Sequence, residues 1–85
     1  MTPLDRDIRA HILKVVFAAM GPVTDFTLRA AIRNSFIHVA FTEAELGVYI
    51  KGAEETGWIS GSKDELFGLC WGLTIKGQNK AQQLP

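Results

Sequence analysis

The 85-residue chain has one cysteine, three prolines, one tyrosine and no surplus of either charge. Cys70 alone cannot close an intramolecular disulfide. With only His11 and His38 beside it, the chain also falls short of the ligand count of a usual zinc site. No disulfide framework, metal or cofactor is therefore expected. Nine basic side chains balance nine acidic ones, so the formal net charge is zero and no global field draws the protein onto nucleic acid or an anionic membrane. Contact with either would have to come from a local patch. The longest apolar run is a handful of residues, against the roughly 20 that span a bilayer. The opening Met1-Thr2-Pro3-Leu4-Asp5-Arg6-Asp7 has acids where a secretory leader has bases. These features predict a cytoplasmic protein that makes no membrane contact.

Catalytic groupings are equally scarce. Glu54-Glu55 and Asp64-Glu65 are sequence neighbours whose side chains diverge, so neither makes a facing acid-base pair. No glycine-rich segment leads into a Lys-Ser/Thr helix cap of the phosphate-loop kind. Cys70 reads as a packed thiol and His38, inside F-I-H-V-A-F, as a hydrogen-bonded, half-buried ring. The expectation is a protein that is not an enzyme. At 47% hydrophobic and 21% charged residues the composition is that of a folded globular chain, and 85 residues suit a single domain over 1–85.

Four segments follow from periodicity. A first helix starts at Thr2 as N-cap with Pro3 in its first turn, and carries Ile8, Ile12, Val15, Val16 and Ala19 at helical spacing. Leu13, Phe17 and Met20 widen its apolar arc, so it should pack on more than one neighbour, and Gly21-Pro22 ends it. Pro22-Val23-Thr24 suits a very short extended piece. A second helix starts near Thr24 or Asp25 with Leu28, Ala31, Ile32 and Ser35 on one face. Its end is open, because Phe36 to Phe41 reads equally as continued helix through Val39 or as a buried extended link.

The third helix has the clearest signals. Thr42-Glu43-Ala44-Glu45 is a capping box, Leu46, Tyr49, Ile50 and Ala53 form the core stripe, and Gly57 suits a left-handed stop. Trp58 is expected in the core just beyond it. From Trp58 to Thr74 the period drops to two, with Leu69, Trp71 and Leu73 alternating against Cys70, Gly72 and Thr74, and Lys63 to Gly68 as a loose hairpin loop. Thr74 then caps a short terminal helix whose apolar positions are Ile75, Ala81 and Leu84.

This order of elements, together with the wording A-E-E-T-G-W-I and L-T-I-K-G, resembles the winged-helix superfamily over nearly the whole chain. It is similar in particular to small bacterial regulators of the multiple-antibiotic-resistance and PadR-like type. The resemblance implies an α+β fold: a three-helix core, a C-terminal β-hairpin wing and a short terminal helix. It also implies a transcription regulator that lays its third helix in the major groove of double-stranded DNA. On these residues the groove face would be Glu43, Ala44, Glu45, Gly47, Val48, Lys51 and Glu55, a set dominated by carboxylates that phosphates repel.

Two functional readings therefore stand side by side. In the first, DNA contact is weak and led by the backbone. Its candidates are Arg29 and Arg33, one helical turn apart and able to reach adjacent phosphates, together with Lys51 and Lys63. In the second, the same architecture serves protein contact, as a homodimer or an adaptor. Its candidates are the smooth seam Ala44, Val48 and Gly52 and the apolar tip Leu66 and Phe67.

Overall fold

A computed structural model describes residues 3–84, so the expected cap Thr2 lies outside the described residues. Four helices and one three-stranded antiparallel sheet form a small α+β unit. Helix α1 runs Pro3–Ala19 and buries Ile8, Ile12, Leu13 and Val16 against α2, α3, α4 and the sheet. It stops at Met20, whose φ of 55° is left-handed and whose N–H donates to the Phe17 carbonyl at 3.2 Å. Of the residues expected to widen its apolar arc, Leu13 is buried, whereas Phe17 and Met20 face solvent at the helix end.

Strand β1 is only Val23–Thr24, and Thr24 also caps α2 (Asp25–Ser35) by accepting from the Thr27 N–H at 3.1 Å. Helix α2 ends at Phe36, and the run to Phe41 is a tight link, not further helix. Val39 N–H donates to Phe36 at 2.9 Å and Phe41 N–H to Val39 at 3.2 Å. The link turns Phe36, Val39 and Phe41 inward and leaves Ile37 and His38 exposed. Its reward is aromatic packing, because Phe36, Phe41 and Tyr49 meet edge to face at 6.4 and 6.0 Å. His38 is thus an exposed ring, not the half-buried one expected.

Helix α3 spans Glu43–Glu55. Thr42 Oγ1 accepts from the Glu45 N–H at 3.1 Å while the Glu45 carboxylate accepts from the Thr42 N–H at 3.0 Å. Leu46, Ile50 and Ala53 are buried. At its other end Gly57 takes φ 86°, with Trp58 N–H bonded to Ala53 and Gly57 N–H to Glu54, the two bonds of a Schellman motif. The Trp58 ring is nevertheless half-buried and lies under Lys80, 6.0 Å from its ammonium. The expectation of a core indole here is corrected: Trp71 is the core tryptophan, and Trp58 contributes its carbonyl, which accepts from the Thr74 N–H at 3.1 Å.

Strands β2 (Ile59–Asp64) and β3 (Gly68–Leu73) pair from Ile59↔Leu73 to Asp64↔Gly68, and β1 joins the other edge of β3 through Val23↔Trp71 and Thr24↔Cys70. The sheet order is β1-β3-β2. The hairpin loop is shorter than Lys63 to Gly68, because Lys63 pairs with Leu69 within the ladder and only residues 65–67 turn. Helix α4 (Ile75–Gln83) starts at Thr74, whose hydroxyl accepts from the Gly77 N–H at 2.9 Å. Gly77 and Ala81 face inward, whereas Ile75, expected on the apolar side, is exposed.

Candidate interaction site

The start of α3 is held by two arginines of α2. Arg29 donates from Nε to Asp25 at 2.7 Å, and from one terminal nitrogen to the Glu43 carboxylate at 2.9 Å and the Glu43 carbonyl at 3.0 Å. Arg33 pairs with the other oxygen of the same carboxylate and donates to the Phe41 carbonyl at 3.1 Å. Burial works against the Arg29 cation, but the hydrogen bonds and charges of Asp25 and Glu43 outweigh it and raise its pKa above the ordinary value. The remaining oxygen of Asp25 accepts from the indole N–H of Trp71 at 2.9 Å. One acid thus joins α2 to β3, and a second joins α2 to α3. The candidate phosphate contacts Arg29 and Arg33 therefore already have carboxylate partners, supplied by residues the sequence places within one turn or across the link.

The outward face of α3 lines a shallow groove that Arg9 of α1 edges on the other side. Ala44, Val48 and Gly52 line it together with Gly47, Lys51 and Glu55, so the expected seam is brought together. Val48 is 69% exposed at its centre. Lys51 is turned back onto Glu54 at 3.2 Å. The residue that sequence reasoning missed is Arg9. It reaches across from α1 so closely that a Cβ on Gly52 would lie 3.1 Å from one of its terminal nitrogens. Its Nε is buried without a hydrogen-bond partner. Nothing in the local pattern of α1 marks Arg9, because its role depends on which helix packs beside it.

The hairpin tip is closed by hydrogen bonds between a side chain and the backbone. One oxygen of Asp64 accepts from the N–H groups of Leu66 and Phe67 at 2.8 and 3.1 Å, and Gly68 takes φ 75° to rejoin the ladder. This turn holds Leu66 and Phe67 out in solvent, 86% and 68% exposed, on a tip that carries Lys63, Asp64 and Glu65. A second apolar cleft of about 630 Å3 lies between the end of α1, β3 and α4, with Phe17, Met20, Pro22 and Leu73 on its walls. Sequence periodicity gave no sign of it.

Among the described residues no group of three or more His, Cys, Asp or Glu side chains is placed to hold a metal ion. No helix among them is long and apolar enough to cross a membrane. Cys70 is buried in β3, and His11 bonds to the Ser35 hydroxyl at 2.8 Å, so the two belong to separate surroundings. The chain matches no protein-family model, no curated protein and no solved structure.

Proposed function

We propose that this chain is a non-catalytic winged-helix module that works by protein contact through the outward face of α3 and the wing tip. The layout of three helices, a hairpin and a terminal helix, with β1 added to the hairpin edge, supports the winged-helix reading. The observation that carries the function is the state of the positive charges. Arg29 and Arg33 are closed on Asp25 and Glu43 and Lys51 on Glu54, so the face that would enter a DNA groove presents Val48 between small residues, with Arg9 and Glu55 at its edges. Phosphate binding by Arg29, Arg33 or Lys51 would compete with these ion pairs, whereas apolar contact needs no rearrangement.

The competing reading, regulation through weak DNA contact led by the backbone, makes a measurable difference. In an anisotropy titration against duplex DNA across a salt series, the protein-contact reading predicts no binding that Arg29→Ala or Arg33→Ala removes. The DNA reading predicts a log-log salt slope of about −1 to −2, for one or two released counterions, that both substitutions abolish. Nanomolar binding at physiological salt, with base-specific loss in Glu45→Ala, would overturn the protein-contact reading.

A further inference from the structure

We propose that the occupant of the α1–α3 groove is a second copy of the same chain, docked about a two-fold axis so that each Arg9 meets the partner's Glu55 with Val48 and Gly52 between them. The proposal rests on the protein-contact reading and names its partner. It starts from the partners already assigned on α3. Glu43 is taken by Arg29 and Arg33, Glu45 by the Thr42 N–H and Glu54 by Lys51, which leaves Glu55 as the carboxylate of this helix without a hydrogen bond or ion pair among the described residues. Arg9 is its counterpart in the same groove. It lies over Gly52 with its Nε buried and unbonded, and no carboxylate pairs with it among the described residues.

With one nitrogen already out of water and no counter-charge among the described residues, the Arg9 guanidinium gains a charge-assisted hydrogen bond when a carboxylate arrives at its terminal nitrogens. An acidic partner would satisfy Arg9 but repel Glu55, and a basic partner would do the reverse. A second copy satisfies both at once, because a two-fold contact presents each patch to itself and forms the pair twice. Gly52 fits this role. A glycine inside a helix costs about 1 kcal/mol relative to alanine, and here it gives Arg9 room to lie against α3. Self-docking would also cover Val48, the apolar centre of the groove.

Size sets the strength. A stable interface takes about 800 Å2 from each partner, close to a seventh of the 5494 Å2 of accessible surface here. The outward face of a 13-residue helix, about 20 Å long and 10 Å wide, supplies roughly a quarter of that. The dimer is therefore weak and reversible.

Sedimentation velocity of the full chain from about 10 μM to about 1 mM covers the range of weak association. The wild type should show association that rises with concentration and falls with salt. Arg9→Glu and Glu55→Arg alone should each weaken it about tenfold or more, and the double charge swap should restore it. Arg9→Gln keeps most of the stem over Gly52 and should weaken association in the same direction, so the pair remains testable if Arg9→Glu disturbs packing. Val48→Arg should abolish association while the circular dichroism of the helices is retained. A wild type that stays monomeric over the whole range overturns the second copy. So does a double swap that fails to restore association, or an unchanged Arg9→Gln. None of these results touches the protein-contact reading itself, which the DNA titration judges separately.

Discussion

Gly77 sits where no other residue fits. A Cβ built on it would lie 1.9 Å from the Trp58 carbonyl oxygen and 2.8 Å from its carbonyl carbon. Both obstacles are backbone, and that backbone is fixed by the Thr74 N–H and hydroxyl, so no side-chain rotation relieves the clash. Gly77→Ala must push α4 off the end of α3. It should lower the free energy of unfolding by about 1–3 kcal/mol or more, the scale of overpacking a dense interior. Gly21 is the control, because a Cβ there meets nothing within 4 Å. Gly21→Ala should change stability by no more than about 0.5 kcal/mol. Urea denaturation of the two variants side by side checks the contrast, and equal effects would mean that α4 does not dock as described.

At the scale of the element, the stability of α3 depends on a titrating group at its start. The Glu45 carboxylate accepts first from the Thr42 backbone N–H, and this holds its pKa below the ordinary value. A carboxylate with a depressed folded pKa adds stability above its unfolded pKa and loses that contribution as pH falls through the folded value. The contribution of the capping box should therefore be intact from neutral pH down to about pH 4.3, the ordinary glutamate value, and fade below it. Glu45→Gln keeps an acceptor without the titration, so thermal unfolding of the variant should depend less on pH across that acidic range than the wild type does. Identical acid profiles would detach Glu45 from the cap. The hairpin shows the same principle of local closure, since one oxygen of Asp64 accepts from two N–H groups at its tip.

At the scale of the molecule, one polar chain ties the helical layer to the sheet. Trp71 of β3 donates to Asp25, Asp25 accepts from Arg29, and Arg29 with Arg33 grips Glu43 at the start of α3. Asp25→Ala would leave a half-buried guanidinium and the indole N–H of a core tryptophan without their shared acceptor. The expected cost is about 1–3 kcal/mol. Because the chain spans three elements, unfolding should remain one transition, with tryptophan fluorescence and far-ultraviolet dichroism falling together in both proteins. A separate early loss of the fluorescence signal would show that the hairpin is held independently of the helices.

Local chemistry let the sequence by itself determine where most elements begin and end. Thr24, Thr42 and Thr74 cap helices because a hydroxyl in extended backbone accepts from the third N–H onward. Gly57 stops α3 because its φ is open to a glycine at little cost. The seam of Ala44, Val48 and Gly52 was legible for the same reason, since helical spacing fixes which residues share a face. Tertiary structure decided what each face meets, and the sequence carries no local signal for that. It assigned Arg29 and Arg33 to Glu43, placed Trp71 instead of Trp58 in the core, turned the Phe36–Phe41 run into a link, and laid Arg9 over Gly52. Each of these outcomes depends on the distance between segments far apart in the chain, which only the packing of apolar surfaces sets.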